Sequence, residues 1–321
     1  MKFLLVLCLS LLLSGCGQES PETTLPLETL PAVTVPAAAV VPEATVMEEP
    51  PAPPVSVILQ PEASGTEEIR TEDAVVDYSH AEDGYMMVRF LTATEKRLKV
   101  QVKGPTTTYT YNLPVDEWTV FPLSDGNGNY KTVVYENVSG NQYATVMTAS
   151  FAVELADEFA PFLRPNQYVN YVDSPNSMAL GAELCYGLEH PLDKVAKVYD
   201  YVVTNLSYDY EKAATVKSGY LPELDLVLEA KKGICFDYAA LMTAMLRSQE
   251  VPCKLVVGYA GQTYHSWISV WTEENGWVDG AIFFDGQSWK RMDPTFASSQ
   301  ARSDEIMEFI ENGNYRVKYL Y

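Results

Sequence analysis

The run Gly233-Ile234-Cys235-Phe236-Asp237-Tyr238-Ala239 opens a helix. Beyond it, Ala239, Met242 and Leu246 fall on one side, with Tyr238, Leu241 and Met245 beside them. So wide an apolar face predicts a helix that is largely buried. Val251-Pro252 ends it. Cys235 therefore stands in the first turn of a buried helix, just after a glycine. Helix N-termini present free N–H groups and a positive partial charge, which favour a thiolate. The N–H of Cys235 is also placed to donate to an oxyanion at an attacked carbonyl. Taken alone, such a position is more often that of a buried structural cysteine.

The downstream sequence changes that balance. Tyr264–Thr272 alternates as a strand, with His265, Trp267, Ser269 and Trp271 on one face and Ser266, Ile268 and Val270 on the other. The chain has three histidines. His80 falls in a loop, and His190 precedes Pro191 at a helix start, where it caps. Only His265 lies in a strand among aromatics, thirty residues after Cys235 (265 − 235). A neutral imidazole beside a cysteine takes its proton and later returns it to a leaving amine. Trp289–Asp293 forms a further strand, stopped by Pro294. A carboxylate at Asp293 would hold the imidazole in the right tautomer. Trp267, Trp271 and Trp289 are the candidates to line a substrate groove.

Gly233 to Ala239 resembles the nucleophile motif of the transglutaminase-like superfamily. Val251-Pro252 through Gly258-Tyr259 looks like that family's next strand. His265-Ser266-Trp267 resembles its histidine motif, and Trp289-Lys290-Arg291-Met292-Asp293-Pro294-Thr295 its Asp-Pro-Thr motif. The resemblance implies an α+β papain-like core over residues 156–321. In it Cys235 is the nucleophile, His265 the general base and acid, and Asp293 the orienting carboxylate. The connection from His265 to Asp293 is long. A strand wedged between the two would separate them by two strand spacings, roughly 10 Å. The reading therefore expects Trp289–Asp293 to pair directly with the His265 strand. Asn275-Gly276 is a hairpin signal, Asp304 to Glu311 reads as a last helix, and Arg316–Tyr321 as a final strand.

Upstream, residues 66–155 read as all-β. Short runs rich in Val, Tyr, Thr and Phe recur between turn signals such as Asp83-Gly84 and Gly104-Pro105. About seven strands at this spacing predict an immunoglobulin- or fibronectin-III-like sandwich, acting as a spacer or binding module. Helical spacing recurs over Pro191–Leu206 and, more briefly, over Pro222–Ala230. Residues 16–65 are rich in proline and read as a disordered tether. Residues 1–15 form a signal segment: Lys2, then the apolar run Phe3 to Leu13. Leu13-Ser14-Gly15-Cys16 resembles a bacterial lipoprotein cleavage site, which implies lipidation of Cys16 and anchorage on the extracytoplasmic face of the cell membrane.

Composition narrows the partners. The 321 residues carry 22 Lys+Arg against 43 Asp+Glu, a net charge of −21. A chain this acidic, without a basic patch, is a poor ligand for nucleic acid. No Cys-x-x-Cys or His-x-x-x-His pair supports a metal site, and no cofactor is expected. Cys185 and Cys253 either pair or serve as small buried apolar residues. The expected activity is acyl transfer on amide bonds through a Cys235 thioester. The substrate is a protein or peptide, cell-wall peptide among the candidates, and the outcome is hydrolysis or cross-linking. The alternative is a non-catalytic surface module for protein or cell-wall polymer.

Overall fold

The computed structural model describes residues 54–274, 276–279, 282–284, 289–291 and 315–321. The signal segment, Cys16, most of the tether, Asp293 and the expected helix at 304–311 lie outside the described residues.

Eight strands come first: β1 (Glu68–Arg70), β2 (Ala74–Asp77), β3 (Tyr85–Phe90), β4 (Leu98–Lys103), β5 (Thr108–Leu113), β6 (Thr119–Pro122), β7 (Gly128–Ser139) and β8 (Gln142–Val153). They form two antiparallel sheets, ordered β1-β2-β3-β6 and β5-β4-β7-β8. Alternation decides which face is apolar. In β4, Leu98, Val100 and Val102 are buried and the intervening Lys99, Gln101 and Lys103 are half-exposed.

The remainder mixes helices with strands: α1 (Pro175–Cys185), α2 (Pro191–Asn205), β9 (Ser207–Tyr208), α3 (Tyr210–Thr215), α4 (Leu224–Ala230), β10 (Lys232–Gly233), α5 (Cys235–Arg247), β11 (Cys253–Ala260), β12 (Thr263–Thr272), β13 (Gly276–Asp279), β14 (Ile282–Phe284), β15 (Trp289–Arg291) and β16 (Tyr315–Leu320). The helix expected after Gly233-Ile234 is α5, and every residue from Asp237 to Arg247 is buried. α2 begins where Pro191 fixes its first turn, and His190 Nδ1 accepts the Leu192 N–H at 3.3 Å. The expected final strand is β16, which pairs with β11.

The described residues, from 54 onward, form one compact unit. Its apolar core runs without a break from Val100 and Tyr111 in the strand-rich part to Tyr199 and Leu241 in the helical part. Docking begins before residue 66. The Val57 N–H donates to the Ser248 carbonyl at 2.8 Å, and Ser56 Oγ to the Met178 carbonyl at 2.8 Å.

One expectation is corrected. β12 lies in the sheet β13-β12-β11-β16, and β15 pairs with β14 in a separate two-stranded sheet. Trp289–Arg291 therefore does not pair with the His265 strand. The pairing stays local: Gly276, at φ +67°, returns the chain so that residues 276–279 pair with 269–272, and 282–284 then take 289–291 as their partner.

Candidate active site

Cys235 owes its position to the three residues around it. Ile234 is extended, at φ −100° and ψ 174°, and the helix starts at the next residue. Asp237, two residues on, turns its carboxylate back and accepts the Ile234 N–H at 2.8 Å. That bond satisfies one of the free donors at the helix start. Gly233 passes against this carboxylate so closely that a Cβ there would sit 2.8 Å from Asp237 Cβ. The glycine before the cysteine is thus a matter of space.

Cys235 is half-buried and opens onto a cavity of about 640 Å³. Phe236, Ile234 and Val257 line its inner part. Tyr168, Tyr208, Tyr220, Tyr264 and Tyr321 give it an aromatic wall, and residues 216–219 form its exposed rim. His265, 5% exposed, borders the same cavity. The structure therefore brings two of the three expected site residues to one cleft.

Register fixes the faces of the sheet. Cys253 Sγ lies 3.7 Å from Thr243 Oγ1, so α5 packs on the face of β11 that carries Cys253. Cys253 pairs with Val270, Leu255 with Ile268 and Val257 with Ser266, which sets Ser266 on that same face. His265 pairs with Gly258 and shares the alternate face with Trp267, whose ring centroid is 6.5 Å from its own. His265 thus stands on the face of β12 opposite to the one α5 packs on, and borders the cavity next to Ser266.

Trp267 and Trp271 sit elsewhere. Trp267 is 2% exposed, and Trp271 packs on Phe159 at 4.5 Å between centroids. Neither lines the Cys235 cavity. Trp289 contributes backbone to β15. Tyrosines line the cleft, and no motif in the sequence had singled them out. Cys185 and Cys253 are free, buried thiols, and burial pushes each up to about 11. Among the described residues, no group of three or more His, Cys, Asp and Glu converges on a metal-sized site.

Residues 179–280 match the sequence model of the transglutaminase-like superfamily. This segment is a transglutaminase-like domain. The domain is similar to uncharacterized protein YebA of Bacillus subtilis, 24% identical over 180 residues, covering 50% of this chain and 24% of that protein. It is also similar to a protein-glutamine gamma-glutamyltransferase of Pseudomonas aeruginosa, 24% identical over 150 residues, covering 42% of this chain and 20% of that protein. The matches thus span about a quarter or less of these relatives' own lengths. Among solved structures, a protein provisionally assigned as a cysteine protease from Cytophaga hutchinsonii aligns with a TM-score of 0.34 and 17% identity. That alignment covers 72% of this chain and 69% of that one. Within this segment, helix α5 packs on the sheet that holds β11 and β12.

Proposed function

We propose that this chain is a thiol-dependent acyl-transfer enzyme acting on amide bonds of a protein or peptide. Cys235 attacks the amide carbonyl and a thioester forms as the amine leaves. His265 takes the thiol proton and delivers it to the departing amine. The family resemblance assigns the orienting carboxylate to Asp293, which lies outside the described residues and whose strand does not pair with that of His265. Water then releases a free acid, or a second amine takes the acyl group and makes a cross-link. We favour water, which reaches a half-buried thiol unless substrate excludes it. The glutamyltransferase relative makes a glutamine side-chain amide the first acyl donor to test. The apolar run after Lys2 and the sequence Leu13-Ser14-Gly15-Cys16 support anchorage by a lipid on Cys16, outside the cytoplasm. The two four-stranded sheets over one core support an immunoglobulin- or fibronectin-III-like sandwich ahead of the catalytic part.

The observation that carries the reading is the meeting of Cys235, at the start of a buried helix, with His265 on one cavity of a transglutaminase-like domain. Iodoacetamide at about pH 6 tests it, because only an activated thiolate reacts quickly there. We expect Cys235 to label and Cys185 and Cys253, both held protonated by burial, to stay unlabelled. His265→Ala should slow Cys235 labelling by about a hundredfold, the usual scale of a lost general base. A slow, ordinary thiol at position 235 would refute the enzyme and leave a surface binding module. Candidate peptides with a labelled amine then separate the two outcomes. Amine incorporation without free acid would exclude the hydrolase.

A further inference from the structure

We propose that Asp237 is a positioning residue that clasps the outer wall of the cavity, residues 210–220, to the turn that presents Cys235. The inference rests on the reading of Cys235 as the nucleophile and adds how its cleft is held shut.

Asp237 is fully buried, and three donors converge on its carboxylate. Oδ2 accepts the Ile234 N–H at 2.8 Å and Lys212 Nζ at 2.7 Å. Oδ1 accepts the Tyr220 hydroxyl at 2.5 Å. Lys212 Nζ also donates to that hydroxyl at 2.6 Å and lies 4.3 Å from the Tyr220 ring centroid. Burial, and then the bond to Asp237, raise the Tyr220 hydroxyl well above its ordinary value, so it stays a donor throughout the working pH range. Hydrogen bonds to an ionised carboxylate are the strong kind. One charge thus ties together the nucleophile's turn, a helix 25 residues upstream and a cavity-lining tyrosine.

The wall has little else to hold it. α3 has six residues and buries none of them. A helix that short is not stable by itself. Residues 213–219 are exposed, although Ala213, Val216 and Lys217 line the cavity. Other anchors are the Asp209 cap on Lys212 N–H, at 2.9 Å, the edge-on contacts of Tyr220 with Phe236 and of Tyr210 with Tyr208, at 6.2 and 4.9 Å between centroids, and Gly219, where a Cβ would meet Asn112 Nδ2 at 2.5 Å. With no buried residue in α3, the wall is held largely by polar bonds, and the two that tie it to the nucleophile's turn through side chains both end on Asp237. Releasing them would open the cleft over Cys235 while α5, packed through its apolar residues, stayed in place.

Tyr220→Phe separates a clasp from a plain helix cap, because it leaves the bond from Ile234 N–H intact. The full chain is treated with trypsin under native conditions, and cleavage after the exposed Lys217 is timed. In parallel, Cys235 is labelled with iodoacetamide and with a bulky fluorescein maleimide. We expect Tyr220→Phe to raise cleavage at Lys217 about tenfold, the equilibrium effect of one charge-assisted hydrogen bond. The ratio of maleimide to iodoacetamide labelling should rise with it, because a wider mouth favours the larger reagent. Asp237→Asn should raise both further. Unchanged cleavage and an unchanged ratio in Tyr220→Phe would overturn the clasp and reduce Asp237 to a cap. The protease readout involves no thiol chemistry. A slow Cys235 in the wild type would thus sink the catalytic reading and leave the clasp to be judged on cleavage alone.

Discussion

Gly233 and Asp237 act as one unit, and the sequence shows only half of it. The motif around Cys235 is legible because its residues are neighbours in the chain and because glycine, cysteine and a buried helix make chemical sense together. The charge partners of Asp237 are not. Lys212 and Tyr220 lie 25 and 17 residues upstream, in a stretch whose exposed face gives no periodic signal. The packing of Gly233 is testable. Gly233→Ala would place a Cβ 2.8 Å from Asp237 Cβ and 3.0 Å from its Oδ2, against a carboxylate already fixed by three donors. Overpacking of this kind costs about 1–3 kcal/mol. We expect chemical denaturation to show a loss of that size, together with slower iodoacetamide labelling of Cys235. Full stability with unaltered labelling would mean that the turn has room to yield.

The elements divide by how local their causes are. α2 and α5 were legible from spacing, proline and glycine, and β12 from strict alternation. The partner of β15 was not, because alternation states which face a residue takes and says nothing about which strand lies alongside. The hairpin at Gly276 then decided the pairing through loop closure over a few residues. Arg247 shows the same limit. It lies in an apolar run, yet it is among the largest fully buried side chains. Its guanidinium donates to the carbonyls of Cys253 at 2.9 Å, Arg164 at 2.6 Å and Tyr321 at 2.6 Å. α5 is thereby fastened to the start of β11, to the loop before α1 and to the residue after β16. Burial pulls the Arg247 pKa down, but the planar fork keeps its charge and fits three carbonyls at once. Arg247→Met fills much of the volume and leaves those carbonyls without their donor. We expect it to cost about 3 kcal/mol or more, since each unsatisfied buried group costs ~1–3 kcal/mol. A urea midpoint within error of the wild type would show that other donors or water replace it.

At the scale of the molecule, the strand-rich and helical parts meet through tyrosines. Tyr109 and Tyr111 of β5 lie 5.7 and 5.9 Å, between ring centroids, from Tyr321. Tyr111 is 5.6 Å from Tyr168, Tyr168 stacks on Tyr321 at 4.2 Å, and Tyr168 is 5.6 Å from Phe236, the neighbour of Cys235. Tyr168, Tyr321 and Phe236 also line the cavity. A strand of the first part therefore backs the aromatic wall of the cleft, so that part is more than a spacer. The change of pattern near residue 155 falls between the end of β8 at Val153 and the start of α1 at Pro175. It could not show that the alternating Tyr109 and Tyr111 face Tyr321, because periodicity does not name the surface a face will meet. Tyr111 tests the seam. It is 1% exposed, and its hydroxyl has no hydrogen-bond partner among the described residues. Tyr111→Phe removes only that buried polar atom and should be neutral or mildly stabilising. Tyr111→Ala leaves a hole between the two parts and should cost about 3–5 kcal/mol. The two parts share one core, so we expect a single unfolding transition, shifted as a whole, with Cys235 labelling altered by a substitution in a strand that does not carry the site. Two separate transitions in the wild type, or labelling indifferent to Tyr111→Ala, would mean that the seam holds the parts together without shaping the cleft.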